Sequence, residues 1–468
     1  MRKPTLTVIG LALLSGCNMA PTYVRPVPPV PPTFATPSAI GGEVATGIGW
    51  QRFFGDPQLR AYIAAALANN RDLAAATARI DQARAQFRIQ QAGQLPQIDS
   101  NASGTRTRAP LGALGFGDSL GGGSIRYNQY SVRVATSAFE LDFWGRLRNL
   151  SESARRSYLA TVEAQRAFRL SLIGDVAATY YSIRAGEEGS ALAERTVASR
   201  QQGLAIAKLR MDAGVTSSVD YDQATALLTQ AQTELADLRR TSEQQRNQLL
   251  VLIGGPTPAP ESPPRPIADA RQFAALDPGI PSDLLQSRPD ILQAEHQLRA
   301  ANADIGAARA AFFPAISLTG AFGFVSPQLE GLFDGNNQNW SFGGSAALPI
   351  FDWGRRESQL AATKARRDEL VATYERTVQN AFREVSDALV GRQRYREQIE
   401  AQEQAVAAQR RLAETAMLRY DNGIAIYLEV LDAERNLFLA EQQLIRLRAM
   451  ELQNGVSLYT ALGGGNDN

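Results

Sequence analysis

The chain has 468 residues with one histidine and one cysteine, and Lys+Arg 48 against Asp+Glu 47 leaves a formal net charge of +1. One thiol excludes an internal disulfide, one imidazole cannot complete a metal cluster, and balanced charge leaves no footprint for nucleic acid. No cofactor or metal is expected, and the sole histidine, His296, lies in an amphipathic pattern and reads as structural.

Arg2 and Lys3 precede a short apolar run, Leu6 to Leu14, followed by Ser15-Gly16-Cys17. The run is too short to cross a bilayer, and the arrangement is that of a secretory signal. Leu14-Ser15-Gly16-Cys17 resembles the bacterial lipobox. That resemblance implies a lipoprotein signal peptide over 1–16, lipid attachment at Cys17, and sorting to the outer membrane through Asn18. Several acyl chains on one residue, at about 0.8 kcal/mol per buried methylene, anchor stably where one chain is marginal. Residues 17–55 form the lipid-anchored arm, whose Pro26, Pro28, Pro29, Pro31 and Pro32 favour an extended tether over a helix.

Asp56-Pro57 is a helix start. From there the chain says the same thing twice. Asp72 to Ile98 matches Asp290 to Ile316 at a shift of 218, with Leu73 against Ile291, Ala76 against Ala294 and Pro96 against Pro314. Leu141-Asp142-Phe143-Trp144-Gly145-Arg146 is answered by Ile350-Phe351-Asp352-Trp353-Gly354-Arg355, at a shift of 209. The two shifts differ in the loops that precede each Trp-Gly-Arg. Each copy then runs without proline for about 65 residues, a rod of roughly 100 Å as helix, to Arg210-Met211-Asp212-Ala213-Gly214 or Arg419-Tyr420-Asp421-Asn422-Gly423. Leu252-Ile253-Gly254-Gly255 and Ala461-Leu462-Gly463-Gly464 close the copies. The expected organisation is a first repeat over 56–255, a proline-rich surface crossover over 256–282, a second repeat over 283–465 and a tail over 466–468.

Between each opening helix and its Trp-Gly-Arg the pattern turns to period two, the signal of a strand. Ile316, Leu318, Phe322 and Phe324 alternate with Ser317, Thr319, Ala321 and Gly323. Trp340, Phe342 and Leu348 alternate with Ser341, Gly343 and Ser345, and Tyr130, Val132 and Val134 with Gln129, Ser131 and Arg133. The opening strand, near Gln97 to Thr107, is polar and weakly patterned, and Gly121-Gly122-Gly123 falls in a loop. Nine to eleven residues per strand suit a tilted membrane span, although a pair of hairpins on a soluble core has the same pattern. Four strands cannot close a barrel, so membrane strands would need a barrel shared between subunits. Eight would leave an interior filled by side chains, and twelve would leave a lumen.

The helical runs carry seams of apolar residues at 3,4 spacing: Val371, Tyr374, Val378, Ala381, Val385 and Ala388 in one, and Val430, Ala433, Leu437, Ala440, Leu444 and Leu447 in another. A second stripe, Leu431, Phe438, Ile445 and Leu452, lies beside the latter. Such spacing gives left-handed supercoiling, and two stripes imply a neighbour on each side. Gly214 and Gly423 stand where a left-handed turn ends each long helix.

Together these residues resemble the outer-membrane factor family of bacterial efflux systems, TolC-like and of the OprM/NodT lipoprotein type. The most specific pieces are the lipobox with its proline arm, Leu284-Leu285-Gln286-Ser287-Arg288-Pro289-Asp290-Ile291, Phe351-Asp352-Trp353-Gly354-Arg355, and Tyr427-Leu428-Glu429-Val430-Leu431-Asp432-Ala433-Glu434-Arg435. The resemblance implies a mainly α fold with membrane β structure: a homotrimer sharing a twelve-stranded outer-membrane barrel, a long periplasmic helical barrel and an equatorial domain. It implies a passive exit duct for small toxic compounds, lipid-anchored in the bacterial outer membrane and extending into the periplasm. A periplasmic adaptor and an inner-membrane resistance-nodulation-division pump would be its partners. Strand-to-helix junctions fall at Trp144, Gly145, Arg146, Trp353, Gly354 and Arg355. The family's gate maps to Arg210, Asp212, Gly214, Asp220, Arg419, Asp421 and Gly423. Several relatives carry a carboxylate just after the second tip glycine, where this chain has Ile424-Ala425-Ile426, so an apolar constriction at Ala425 and Ile426 competes with a carboxylate ring. Rival readings are an enzyme, for which no catalytic motif is present, a non-porous coiled-coil lipoprotein, and the duct of a type I protein secretion system.

Overall fold

A computed structural model describes residues 18–34, 43–44, 48–110, 124–259, 265–269, 272–274, 276–277 and 281–464. Cys17 and the Gly121-Gly122-Gly123 loop lie outside the described residues. In chain order the elements are β1 (Glu43–Val44), α1 (Trp50–Phe53), α2 (Pro57–Asn69), α3 (Arg71–Ala92), β2 (Asp99–Pro110), β3 (Ser124–Leu141), α4 (Arg146–Asp212) and α5 (Ser218–Ile253). There follow β4 (Leu276–Asp277), α6 (Pro281–Ser287), α7 (Pro289–Ala310), β5 (Ala315–Ser326), β6 (Gln338–Ala347), α8 (Arg355–Asp421) and α9 (Tyr427–Ala461). The fold is mainly α with one four-stranded sheet. The two proline-free runs are single helices of 67 residues each. The chain forms two compact units, 1–26 with 81–161 and 294–373, and 27–80 with 162–293 and 374–468. Each unit draws on both copies of the repeat.

The first unit holds the antiparallel sheet, in the order β2-β3-β5-β6. Val132 pairs with Phe324, Val134 with Phe322, Trp340 with Phe322 and Phe342 with Gly320, so these apolar side chains share one face, as their alternation predicts. Hydroxyl pairs line the other: Ser103 with Ser131 at 2.8 Å and Ser317 with Ser345 at 2.9 Å. The apolar face is bare, with Phe322, Trp340 and Phe342 exposed. The outer edges of β2 and β6 pair with no strand among the described residues. One irregularity breaks the ladder. β3 bulges between Thr136 and Phe139, where Ala138 takes φ 53, and no such shift occurs in β6.

The amino-terminal arm is extended, as proline predicts, but it is bound rather than a free tether. Asn149 Nδ2 donates to Asn18 Oδ1 at 2.9 Å, and Asn302 Nδ2 to the Pro21 carbonyl at 2.7 Å. Arg25 grips Glu295 at 2.6 Å, and the Arg299 guanidinium lies 4.7 Å over the Tyr23 ring. Gly306 lets the arm lie flush, since a Cβ there would come within 2.8 Å of Ala20. Burial alone would raise the Glu295 carboxyl, but hydrogen bonds from Arg25 and Arg299 outweigh it and hold the group below the usual carboxylate range. A carboxyl depressed in the folded state stabilises above its unfolded value and loses that contribution as pH falls through the folded one. Neighbouring His296 is pushed down by burial, with Arg156 and Arg299 adding to it, so acid opposes this packing from both residues. Glu295→Gln should therefore make the arm protease-sensitive at neutral pH, while the unaltered chain becomes so only in acid. Equal cleavage of the two at pH 7 would refute the clasp.

In the second unit the repeat is visible at the level of single hydrogen bonds. Asn70 Nδ2 donates 2.8 Å to the Leu252 carbonyl at the end of α5, and Arg288 Nη1 donates 2.8 Å to the Ala461 carbonyl at the end of α9. The glycines after those helices, Gly254 and Gly463, take φ +76 and +75 and abut the backbone of Asn69 and Ser287. Both pairs stand at the shifts read from the sequence. Asp56 caps α2 as expected, accepting from Gln58 N at 2.8 Å, with Pro57 at the first helical position. Along α8, Tyr374, Val378, Ala381, Val385 and Ala388 are buried as one seam. Each Val contributes about 1.5–3 kcal/mol by leaving water.

The crossover differs from a plain surface loop. Ile267, Gln272 and Leu276 are buried, and β4 pairs in parallel with β1. Phe273 stacks on Phe53 at 5.0 Å, and Phe53 stacks on Tyr459 at 4.2 Å. Proline composition signalled the break in helix but not the aromatic anchor set among it.

Candidate gate at the hairpin tips

Helices α4 and α8 end in the same way. Val215 N donates to the Arg210 carbonyl and Gly214 N to that of Met211, each at 2.9 Å, and Ile424 N and Gly423 N do the same to Arg419 and Tyr420. This is the double hydrogen bond of a left-handed helix stop. It requires φ +72 at both Gly214 and Gly423. The returning helices differ. Ser217 Oγ accepts from Val219 N at 3.3 Å and caps α5, whereas Ile426, at the matching position before α9, offers no side-chain cap.

The two hairpins touch through rings. The Arg210 guanidinium sits 4.5 Å over the Tyr420 ring, and Tyr420 packs on Tyr427 at 5.1 Å. The Tyr427 hydroxyl fills the space beside Gly203, where a Cβ would come within 2.3 Å of it. Burial pushes this phenol up to about 12, helped by Glu434, Tyr420 and Asp220, so it is a neutral donor at any physiological pH. Arg419 bridges to Glu429 at 3.2 Å across its own turn, and Lys208 to Asp212 at 3.3 Å along its own helix. Further along the hairpins, Arg200 is buried. It donates 2.5 Å to the Leu227 carbonyl and lies 5.5 Å from the Phe438 ring. Burial lowers its pKa. Gln442 Nε2 reaches Glu234 Oε1 at 2.9 Å. Arginine on aromatic rings and amide on carboxylate thus join the hairpins beside the apolar cluster of Leu192, Ala193 and Phe438, contacts that can separate without breaking either helix.

Of the positions expected at the gate, Arg210, Arg419, Gly214 and Gly423 hold the tip architecture, and the Asp220 charge adds only slightly to the upward push on the Tyr427 phenol. Asp212 pairs within α4, and Asp421 faces solvent. Ala425 is half-buried in the turn, while Ile424 and Ile426 are exposed. Tyr420 and Tyr427 went unread as functional. The available signal was the difference between copies: Tyr420 stands where the first has Met211, and Tyr427 where it has Ser218.

The junctions are unequal as well. Trp144 Nε1 donates to the Pro314 carbonyl at 2.9 Å, and its ring stacks on Phe313 at 4.7 Å. Gly145 takes φ +75, and Arg146 Nε pairs with Glu140 at 2.8 Å. In the second copy Gly354 takes φ +78, but Trp353 is 89% exposed at φ +57, and its ring neighbour is Phe351. Arg355 is exposed; Arg356 instead clasps Asp352 at 2.7 Å. Among the described residues no group of His, Cys, Asp and Glu is placed to hold a metal, and no helix is long and apolar enough to cross a membrane.

The family model described as outer membrane efflux protein matches residues 62–255 and 280–464. The chain is 42% identical over 473 residues to the toluene efflux pump outer membrane protein TtgI of Pseudomonas putida, covering 99% of each. It is 38% identical to the cation efflux system protein CusC of Escherichia coli O6:H1, covering 98% of this chain and 97% of that one. The solved open state of the MtrE outer membrane channel of Neisseria gonorrhoeae aligns with a TM-score of 0.87 and 35% identity over 96% of this chain and 98% of that one. A chain that matches the family model in both halves, repeats itself at the same shifts and carries the fold of outer-membrane channels belongs to the outer membrane efflux protein family and is an outer-membrane component of an efflux pump.

Proposed function

We propose that the chain assembles as a homotrimer whose sheets close one twelve-stranded barrel, and that it serves as a passive exit duct gated at the hairpin tips. The observation that carries this reading is the open sheet: four strands, two edges without a partner among the described residues, and a bare apolar face. In hydrocarbon each unpaired backbone group costs several kcal/mol, which only closure removes. Twelve strands leave a lumen where eight do not. A periplasmic adaptor and an inner-membrane resistance-nodulation-division pump would deliver the cargo and supply the energy, so the duct itself needs no catalytic step. The relatives' names span toluene and cations. With one histidine and five methionines in the chain, soft metal ligands are scarce, which favours small organic compounds as cargo. Lipid attachment at Cys17 fits the arm bound from Asn18 onward, and radiolabelled palmitate incorporation lost in Cys17→Ala would test it.

Purified chain in a planar bilayer should give discrete conductance, and deletion should sensitise cells to organic solvents and dyes more than to copper or silver. Silence from folded oligomers, even of tip-loosened variants, would favour a non-porous brace and overturn the duct.

A further inference from the structure

The seam inside one chain contains the plan for the seam between two. Within the chain, β3 of the first copy pairs with β5 of the second, and Trp144 at the end of β3 closes the corner on Phe313 and Pro314. The repeat supplies the same parts again, facing outward. β6 and Trp353 correspond to β3 and Trp144, and Pro96 and β2 correspond to Pro314 and β5. In one chain these cannot meet, because β2 and β6 are opposite edges of the sheet. They are also the places where apolar side chains are bare: Ile350 is 92% exposed, and Leu95 and Ile98 are each 70% exposed. Trp353 moreover holds a left-handed backbone angle that is unfavourable for an L-residue and that Trp144 does not share.

Resting on the homotrimer reading, we infer that Trp353 docks on the Leu95-Pro96 corner of a second copy, its indole N–H donating to the Pro96 carbonyl, with β6 zipped onto that copy's β2 in one defined register. The ladders fix the register. Ala102 opposes Val132 in β2–β3, as Gly320 opposes Phe342 in β5–β6, so Val132 and Phe342 are equivalent. Val132 pairs with Phe324, whose counterpart is Arg106, and therefore Phe342 pairs with Arg106 of the second copy. Beyond the Ala138 bulge, Leu141 pairs with Ile316, and the counterparts are Ile350 and Ile98. The bulge supplies the one residue by which the strands differ, so the seam between copies runs straight from Phe342 to Ile350 without one. Leu348 to Ile350, outside any strand in the single chain, extend β6 on assembly. The contact is head-to-tail, the kind that closes into a ring.

The test uses the full-length chain in outer-membrane preparations. The variant Ala346→Cys with Ala102→Cys sets two thiols directly opposite, while Gly344→Cys with Ala102→Cys sets them two residues out. Directly opposed positions meet disulfide geometry and diagonal ones do not. Mild oxidation should therefore crosslink the first pair between copies roughly tenfold more than the second. Trp353→Ala should raise the monomer fraction in detergent about tenfold or more, the effect of losing a buried aromatic anchor, and Trp353→Phe should fall between. Native mass spectrometry reads the oligomer separately. A trimer that crosslinks better in the shifted pair, or is indifferent to Trp353→Ala, overturns this seam and leaves the trimer standing. A monomer in every preparation overturns both.

Discussion

Replacing Tyr420 with alanine should turn a mostly closed channel into one that opens spontaneously. Its ring is one of the contacts between the hairpins, with the Arg210 guanidinium at 4.5 Å and the Tyr427 ring at 5.1 Å. A cation over an aromatic face at a partly exposed site is worth about 0.5–1 kcal/mol. Loss of about 1 kcal/mol per copy would amount to about 3 kcal/mol if three copies open together, roughly a hundredfold in the ratio of open to closed. Single-channel recording should show long openings, and cells should become sensitive to antibiotics too large for ordinary porins. Tyr420→Phe keeps the ring and should stay closed. An unchanged open probability in Tyr420→Ala would remove these tyrosines from the gate.

The second large effect lies in the Arg-Pro-Asp segment that marks the family resemblance. Arg288 is 8% exposed and donates to the Ala461 carbonyl, to both oxygens of Asp290 at 3.0 and 2.7 Å, and to Glu384 at 2.9 Å. Arg288→Met keeps the aliphatic stem but leaves the last turn of α9 without its donor and two carboxylates without their cation. Breaking a buried pair costs about 3–5 kcal/mol. Because Asp290 and Glu384 are partly solvated, about 2–4 kcal/mol is expected. The amount of folded chain in the outer membrane should drop severalfold. Asn70→Leu, which removes the simpler brace of the first copy, should cost about 1–2 kcal/mol. If Arg288→Met unfolds at the same temperature as the unaltered chain, the segment's arginine has some other task.

What the sequence disclosed was whatever period and position encode. Proline-free length marked α4 and α8, Gly214 and Gly423 marked their ends, and alternation over Ile316–Phe324 marked the face of β5. The braces at Asn70 and Arg288 could have been found from the repeat, since each stands at the required shift from the helix end it holds, but an asparagine and an arginine do not look alike in a string. Tyr420 escaped because its partner lies on another hairpin, and no local pattern records a ring meeting a guanidinium from a helix two hundred residues away. The repeated Trp-Gly-Arg points to Arg355, whereas the clasp on Asp352 is made by Arg356. In a helix start, the side chain that can turn back to Asp352 is set by the turn geometry, not by the motif. The crossover misled for a similar reason: proline reports what the backbone cannot do, and is silent about where Phe273 goes.

The absent cap at Ile426 sets the two hairpins apart. The helix after Gly214 begins with the Val219 amide answered by the Ser217 side chain, while the one after Gly423 begins with no side-chain cap. Unwinding that first turn therefore takes about 1 kcal/mol less on the Ile426 side. Two arms of nearly equal length thus have unequal stiffness, and in the proposed gate the stiffer is the doorpost and the softer the door.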